Sequence, residues 1–468
     1  MHVEPTAIPG LLVVQLDVHE DARGWFKENW QRDKMVRLGL PDFGPVQNNM
    51  SFNSRRGATR GIHTEPWDKL VSVATGRVFA AWVDMRAGDT FGATHSLELD
   101  AGTAVFVPSG VGNSYQTLED GTVYSYLVND HWRPGTAYPS LHLADPSAAI
   151  PWPIALEDAE VSDKDRANPY LEGVVPMAPK RTLVVGAQGQ LGRALAAEFP
   201  AAVLVDREEL DLTDPDAVAA WPWDEHDIVL NAAAYTAVDE AETPDGRRAA
   251  WAANATAPAT LARLADQHGF TLVHYSSEYV FDGTLDADGG HTEDEPLSPL
   301  GVYAQSKAAG DVAVGTARRH YLVRTSWVIG EGRNFVRAMQ RLAADGVSPG
   351  VVDDQVGRLT FTGELARATR HLLEAGPAYG TYNVTNGGPP TSWYDVARAV
   401  FRLSGHDESD VSPTSTAAYS AGKGLAPRPL GSVLDLSKVR STGFEPEDAM
   451  SALERYLAAQ SPQAGTRP

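Results

Sequence analysis

The chain has 468 residues, 43% of them hydrophobic and 21% charged, so we expect two or three globular domains rather than a disordered or fibrous protein. Its formal net charge of −22 disfavours nucleic acid and anionic membrane surfaces as partners. The charge does not argue against a nucleotide site, because backbone N–H groups at a helix N-terminus can bind phosphate locally. The absence of cysteine excludes disulfides and thiolate chemistry.

The first residues of the chain indicate a cytoplasmic protein. The stretch MHVEPTAIPGLLVVQLDVHEDARG carries an acid and prolines where a signal peptide has a basic region followed by an apolar run. No stretch of the sequence approaches the roughly 18 uninterrupted apolar residues of a membrane span. We therefore expect a cytoplasmic protein without a membrane partner.

The first part of the chain has the pattern of an all-β domain. Up to about residue 150, short β-type runs such as 69–86 and 122–132 are separated by turn residues. Near-alternating polarity with closely spaced turns is typical of an antiparallel sandwich or barrel. The polar, proline-rich stretch 158–180 has the composition of a tail and linker. We predict domains over 1–176 and 180–468.

The second part alternates apolar β-type runs with alanine-rich helical stretches, which predicts an α/β domain of Rossmann type with a doubly wound parallel sheet. Gly186, Gly189 and Gly192 follow its first strand, with the spacing that permits a tight turn, approach to a pyrophosphate and close helix packing. Asp206, near the end of the next strand, can bind an adenosine ribose, whereas Arg207 can bind a 2′-phosphate. NAD and NADP therefore both stay open. Further cofactor contacts are expected from Gln188, Gln190, Leu191, Asp211, Leu212, Ala232, Ala233 and Ala234.

The stretch PLGVYAQSKAAGD places Tyr303 and Lys307 one helical turn apart on one face. A neighbouring ammonium stabilises an ionised phenol, so we expect Lys307 to lower the pKa of Tyr303 and suit it to protonate a developing alkoxide. Such spacing often arises by chance. Here it follows the Gly-rich turn, and the hydroxyl-bearing stretch YSSEYVFDG ends a predicted strand just upstream, where ligands of α/β domains bind.

These motifs, with NAAAYTAVDEAE, RTSWVIG and PRPLGSVLDLSKV, resemble the dTDP-4-dehydrorhamnose reductase family of extended short-chain dehydrogenase/reductases over about 181–458. The resemblance implies a small C-terminal substrate-binding part and NADPH or NADH as cofactor. It implies that Ser277, where the family has threonine, bonds the substrate carbonyl, and that Trp327 contacts the substrate. Glu278 replaces an aspartate of the family, and Leu359 a proline.

The first part resembles the dTDP-4-dehydrorhamnose 3,5-epimerase family over about 4–172, through HEDARGWFKENW, the region around RGIH, and VSDKDRANPY. The family is a cupin-like β-barrel, or jelly roll, and the resemblance implies a homodimer through this barrel. It implies His63 as base, Asp165 as its partner acid and Tyr126 as proton donor. Arg60 and Lys69 would stabilise an enolate. The residues implied to hold the nucleotide are Arg23, Phe26, Glu28, Gln47 and Asn49.

A metal site is not expected in the barrel. Metal-binding cupins use two or three histidines with a carboxylate, but His63 and Glu65 have no later histidine partner in the corresponding strand, which offers Asn113. Asn113 stands where the family has a second histidine, so we assign it to the substrate site. Its presence leaves open a slower enzyme or inversion of one carbon only, although the remaining residues favour a double epimerase.

Together the two resemblances imply a bifunctional enzyme. It would epimerise dTDP-4-dehydro-6-deoxy-glucose at C3 and C5 and then reduce the C4 ketone to dTDP-L-rhamnose. Two alternatives stay open: the same chemistry on another dTDP- or UDP-linked deoxysugar, and a reductase whose barrel is only a dimerisation or regulatory module. A barrel that had become a mere scaffold would be expected to lose His63 or Tyr126, and both are present.

Overall fold

A computed structural model describes residues 1–131, 138–284 and 289–459 of the chain. The chain divides into two compact units, Met1–Pro179 and Lys180–Pro468. Within the residues described, no helix is long and apolar enough to cross a membrane.

In the described part of the first unit, the regular elements are mainly β-strands, together with two short α-helices, α1 (Arg32–Arg37) and α2 (Asp163–Arg166). The strands are β1 (His2–Pro5), β2 (Leu12–Gln15), β3 (Val18–Asp21), β4 (Gly24–Lys27), β5 (Gln47–Asn53), β6 (Ala58–His63), β7 (Lys69–Thr75), β8 (Val78–Asp84), β9 (Thr94–Leu99), β10 (Thr103–Val107), β11 (Val111–Thr117), β12 (Thr122–Val128) and β13 (Glu160–Val161).

Most of these strands form two sheets that pack face to face. One has the order β1-β2-β10-β7-β12-β5 and the other β13-β6-β11-β8-β9, while β3 and β4 form a separate hairpin. Side chains from both sheets share one apolar core, in which the rings of Tyr115 and Tyr124 stack with centroids 4.1 Å apart. The stretch 158–180, predicted as tail and linker, contributes β13 and α2, so part of it belongs to the folded unit.

The second unit alternates strands and helices. Its strands are β14 (Arg181–Val185), β15 (Val203–Val205), β16 (His226–Asn231), β17 (Thr271–Ser277), β18 (His320–Thr325), β19 (Val328–Ile329), β20 (Gly350–Val352), β21 (Val356–Gly357), β22 (Thr360–Phe361), β23 (Gly380–Asn383), β24 (Thr391–Ser392) and β25 (Ser412–Thr414). Its helices are α3 (Gln190–Glu198), α4 (Pro215–Ala220), α5 (Pro244–Trp251), α6 (Ala257–His268), α7 (Val302–Val314), α8 (Phe335–Ala344), α9 (Thr362–Ala375), α10 (Trp393–Leu403), α11 (Thr416–Ser420), α12 (Ser437–Ser441) and α13 (Ala449–Ala458).

The central sheet of this unit is parallel and has the order β15-β14-β16-β17-β18-β23. Successive residues of a strand point to opposite faces, so Leu183 packs with α6 on one face and Val184 with α3 and α9 on the other. Both faces are therefore covered, as parallel sheets require. A second core, built around Leu359 and Val400, joins α8, α10 and α13 beyond the sheet. The predicted all-β first part and α/β second part are confirmed.

The chain runs from β14 to β15 on one side and then returns to β16 on the other side of β14. The crevice at the carboxyl ends of β14 and β16 is thus the point where the strand order reverses. Open α/β sheets bind ligands at this point.

Candidate active sites

In the first unit, His63 at the end of β6 meets Asp165 on α2. His63 Nε2 lies 2.7 Å from Asp165 Oδ1, and the Asp165 side chain is buried. Burial alone would raise the pKa of the Asp165 carboxyl, but hydrogen bonds with His63, the Gly61 N–H and Ser162 hold that pKa below its ordinary value. Asp165 therefore stays ionised, and it can orient the imidazole and stabilise its protonated form.

Asn113 lies directly opposite His63 in the β11–β6 pairing. Its Oδ1 accepts hydrogen bonds from Trp82 Nε1 at 2.9 Å and from the Tyr124 hydroxyl at 3.0 Å. Trp82 and Tyr124 are fully buried and come from different sheets. Asn113 therefore connects the two sheets at a position beside His63. The sequence interpretation missed both partners, although the alternation in YSY already places Tyr124 on the same strand face as Tyr126.

Tyr126 on β12 pairs directly with Asn49 on β5, so the two side chains share the inner face of their sheet. Burial, reinforced by the charge of Glu65, raises the pKa of the Tyr126 phenol. A phenol that stays protonated can act as a proton donor.

The two predicted cations of the barrel already have partners. The buried Lys69 ammonium forms an ion pair with Glu65, and Arg60 Nε donates to Asn53 Oδ1 at 3.1 Å. Arg60 and Asp165 also line a cleft of about 320 Å³. Arg60 therefore borders the same cleft as the Asp165 carboxylate, whereas Lys69 is held by Glu65.

The residues predicted to hold the nucleotide lie in two places. Gln47 and Asn49 are joined by a 2.8 Å hydrogen bond on the inner face of β5. Arg23, Phe26 and Glu28 instead lie on or just after the β3–β4 hairpin, where Phe26 is 64% exposed. Their charged members bind neighbours in sequence, since Arg23 contacts Asp21 and Glu28 contacts Lys34. Among the hydrogen bonds and ion pairs of the described residues, none links the hairpin group to His63 or Asp165.

In the second unit, the Gly-rich turn lies at the crevice where the strand order reverses. Gly186 has φ of +78°, and a Cβ added there would lie 2.8 Å from the backbone N of Ala233. A Cβ at Gly192 would lie 2.0 Å from the Gly186 carbonyl oxygen. These two positions need glycine for the turn and for close helix packing, as predicted.

A cleft of about 350 Å³ opens beside this turn. The predicted cofactor residues that line it are Gly186, Gly189, Asp206, Arg207, Asp211, Leu212, Ala232, Ala233 and Ala234. The sequence interpretation missed other lining residues, namely Val185, Leu210, Thr213, Tyr235, Ala249, Ala252, Ala253 and Ala257. Several of these are alanines of α5, α6 and the π-helical segment Ala252–Thr256 between them, whose small side chains leave room for the cleft.

Two carboxylates, Asp206 and Asp211, line this cleft together with Arg207. Asp206 Oδ2 accepts from the Gln188 backbone N–H at 2.8 Å, which ties the carboxylate to the Gly-rich turn. Arg207 is largely exposed, and its Nε donates to Asp211 Oδ2 at 2.9 Å. The part of the cleft lined by Asp206, Arg207 and Asp211 therefore carries more negative than positive charge.

Other predicted residues do not line the cleft, among them Gln188, Gln190, Leu191, Gly192 and Trp327. Gln188 contacts Asp206 through its backbone N–H. Gln190 Oε1 accepts from the Gly330 N–H at 2.9 Å, and Leu191 packs against the core of the sheet. Gly192 serves helix packing. Trp327 is 8% exposed and stacks on Trp393 with centroids 3.8 Å apart.

Tyr303 and Lys307 lie on α7 beside the end of β17. Lys307 is buried, and its Nζ donates to the Tyr275 carbonyl oxygen at 2.6 Å. Burial lowers the pKa of Lys307 to about 8, although the negative charge of Asp311 acts to raise that pKa. Neither residue lines the 350 Å³ cleft.

The predicted lowering of the Tyr303 pKa is wrong. Burial, reinforced by the charge of Glu278, raises the pKa of this phenol above its ordinary value, and a hydrogen bond with Ser277 opposes the rise only in part. The reason is geometric: the Lys307 ammonium is engaged by a backbone carbonyl rather than by the phenol. Tyr303 therefore remains protonated at neutral pH, which still suits a proton donor.

Comparison with known proteins covers both units. A family model described as RmlD substrate binding domain matches residues 180–461, and one described as dTDP-4-dehydrorhamnose 3,5-epimerase matches residues 5–173. The chain is 48% identical over 182 residues to the protein RmlC homolog of Streptococcus pyogenes serotype M6, covering 37% of this chain and 90% of that protein.

The second unit is similar to reductases. Over 297 residues the chain is 41% identical to the probable dTDP-4,6-dihydroxy-2-methyloxan-3-one 4-ketoreductase of Streptomyces antibioticus, covering 60% of this chain and 97% of that protein. The crystal structure of dTDP-4-dehydrorhamnose reductase from Bacillus anthracis in complex with NADP is 31% identical, with a TM-score of 0.55, and covers 60% of this chain and 100% of that one.

The fold, the two sites and these matches define a two-part enzyme that joins an isomerase unit to an oxidoreductase unit. The chain belongs to the RmlD substrate binding domain family through its second part and to the dTDP-4-dehydrorhamnose 3,5-epimerase family through its first.

Proposed function

We propose that the chain converts dTDP-4-dehydro-6-deoxy-glucose to dTDP-L-rhamnose in two steps, a 3,5-epimerisation and a reduction by NADPH or NADH. The observation that carries the proposal is that one chain contains two sets of catalytic side chains, one for each step. The first unit holds a histidine paired with a buried carboxylate, and the second holds a protonated tyrosine beside a serine hydroxyl and a lysine.

In the first step, His63 removes the acidic hydrogen next to the ketone, and Asp165 stabilises the imidazolium that forms. Tyr126 returns a proton from the opposite face, which inverts the carbon. Lys69 and Arg60 stabilise the enolate oxygen. His63 then releases its proton to water and Tyr126 takes one from water, after which the same cycle at the second carbon completes the epimerisation. The finer description of this unit as a cupin-like jelly roll is supported by its two facing antiparallel sheets.

In the second step, Tyr303 protonates the C4 oxygen as it becomes an alkoxide, and Ser277 holds the carbonyl. The bound dinucleotide supplies the hydride. The turn at Gly186 and Gly192 and the cleft beside it fit such a group. Family resemblance alone assigns Lys307 to its ribose, since Lys307 lies outside the cleft lining. The Rossmann-type description of this unit is supported by the parallel sheet with its reversal of strand order.

A homodimer through the barrel is part of the proposal. Trp25 and Phe26 on β4 and Met50 and Phe52 on β5 are 43%, 64%, 67% and 66% exposed, so each of these elements leaves large apolar side chains in solvent. Pairing of two barrels would cover them. Sedimentation of a Phe52→Asp variant as a monomer, with the wild type as a dimer, would support this arrangement; a monomeric wild type would refute it.

Another deoxysugar is the second candidate substrate. It is favoured by the 41% identity to the Streptomyces antibioticus protein, whose name describes a different 4-ketoreduction. Product analysis by NMR separates the two candidates, since only the first yields dTDP-L-rhamnose.

The test is turnover of dTDP-4-dehydro-6-deoxy-glucose with NADPH and NADH supplied separately. We expect oxidation of at least one cofactor, and no oxidation of either would refute the proposal. A His63→Ala variant should be inactive alone but active when a separate 3,5-epimerase supplies the reductase substrate. A Tyr303→Phe variant should stay inactive in both assays.

A further inference from the structure

The Ser277 hydroxyl in the second unit has a single proton to donate. Ser277 Oγ lies 2.7 Å from Glu278 Oε2 and accepts the Tyr279 backbone N–H at 3.2 Å. An ionised carboxylate can only accept, so the hydroxyl proton must point to Glu278 while that side chain is charged. In this state Ser277 has no proton to offer a substrate carbonyl.

A protonated Glu278 would reverse this hydrogen bond. Its carboxyl proton would be donated to Ser277 Oγ, and the serine proton would become free to bond another acceptor. The Ser277 hydroxyl also interacts with the Tyr303 phenol, since it lowers the pKa of that phenol. Ser277 therefore adjoins the proposed proton donor. The direction of one short hydrogen bond thus decides whether Ser277 can hold a carbonyl.

The surroundings of Glu278 favour its neutral form. Its side chain is 4% exposed, and burial raises its pKa to about 7 despite the hydrogen bond from Ser277. The titratable groups that face it are the phenols of Tyr279 and Tyr303.

The nearby cations are engaged elsewhere. Arg428, which lies beside Tyr279, forms an ion pair with Asp239. Lys307, one turn along α7 from Tyr303, donates to the Tyr275 carbonyl. Glu278 therefore changes charge near neutral pH without a direct ionic partner among these groups.

We propose that Glu278 is a positioning residue whose proton turns the Ser277 hydroxyl toward the substrate carbonyl, so that the reductase step requires neutral Glu278. The inference rests on the proposed ketoreduction. No atom is transferred from Glu278 in the reaction; Tyr303 supplies the proton to the alkoxide. A glutamine at this position would mimic the protonated acid permanently, because its amide N–H can donate to Ser277 Oγ at every pH.

The experiment compares the pH dependence of reductase kcat/KM in the full-length wild type and a Glu278→Gln variant. The ketone is equilibrated beforehand with a separate 3,5-epimerase, so that the barrel does not limit the rate. A carboxyl with a pKa of about 7 is mostly protonated at pH 6 and mostly ionised at pH 8, so the ratio of variant to wild-type kcat/KM should rise about tenfold between these values. Titration of Lys307 affects both proteins and cancels in the ratio.

A matched control is Glu293→Gln. Burial also raises the pKa of Glu293, but its carboxylate accepts from the Asn383 N–H and does not contact Ser277, so its ratio to wild type should stay constant with pH. Ser277→Ala should lose about 10²- to 10³-fold in kcat/KM at pH 6, where the wild type is most active.

The outcomes separate this inference from the proposed function. Wild type that oxidises neither cofactor at pH 6 refutes the ketoreduction itself. If the wild type is active but the ratio of Glu278→Gln to wild-type kcat/KM does not change with pH, the role of Glu278 is refuted while the ketoreduction stands. The same conclusion follows if the Ser277→Ala variant is unimpaired.

Discussion

His63 Nε2 lies 2.7 Å from Asp165 Oδ1, although 102 positions separate the two residues in the sequence. Removing the charge of Asp165 while keeping its shape tests what this contact does. Asp165→Asn should lower the rate of solvent deuterium incorporation at C3 and C5 by about 10²- to 10⁴-fold, because the imidazolium loses its counter-charge. The measurement is NMR of the sugar nucleotide in deuterated water without cofactor.

The second unit provides the control for that variant. Reduction of a ketone supplied by a separate 3,5-epimerase should proceed at the wild-type rate, since Asp165 belongs to the first unit. Equal deuterium incorporation by wild type and variant would contradict the role assigned to the pair.

Asn113→His restores the histidine expected at this position but should destabilise the barrel. The amide oxygen accepts from both Trp82 and Tyr124, whereas a neutral imidazole has one acceptor nitrogen, so one buried donor loses its partner. An unpaired buried donor costs about 1–3 kcal/mol. Chemical denaturation should show this loss in the free energy of unfolding of the first unit, and an unchanged value would refute the bridging role.

Lys307→Met should change the pH dependence of stability. The pKa of Lys307 is about 8 in the folded unit and 10.5 in the reference state, so between these values the unfolded chain binds the extra proton. Titration of Lys307 therefore makes the free energy of unfolding increase with pH in this range, with a slope that approaches about 1.4 kcal/mol per pH unit. The Lys307→Met variant should lack this increase. Denaturation from pH 7 to 10.5 measures the difference; parallel curves would contradict the burial of a titrating lysine.

Asp211→Asn should shift the cofactor preference toward NADPH. The substitution keeps an acceptor for Thr213 but removes the charge that holds Arg207, which then becomes free for a 2′-phosphate. Because the ion pair is exposed, the ratio of kcat/KM for NADPH over NADH should rise only about three- to tenfold. An unchanged ratio would show that Arg207 does not reach the 2′ position.

Features that depend on backbone geometry could be predicted from the sequence. Gly186 and Gly192 were identified because a positive φ and a close helix contact leave glycine as the residue that fits. The change from period-two alternation to alternating strands and helices similarly separates the all-β part from the α/β part. The pairing of His63 with Asp165 came from family resemblance, because nothing local connects such distant positions.

Features that depend on packing could not be predicted. The spacing of Tyr303 and Lys307 correctly indicates one helix face, but the pKa of the phenol is set by burial and by the carbonyl that engages Lys307. Asn113 likewise acquires its two donors only when the two sheets meet. The sequence motifs indicate which side chains belong to the sites, whereas the pKa values and hydrogen bonds of those side chains depend on tertiary contacts.

The central claim is that one chain performs both steps, and a single measurement tests it most directly. The full-length protein is incubated with dTDP-4-dehydro-6-deoxy-glucose and NADPH or NADH in deuterated water, and the product is analysed by NMR. The account predicts dTDP-L-rhamnose carrying deuterium at both C3 and C5. A reduced sugar without deuterium at either carbon would contradict it, because reduction would then have occurred without epimerisation.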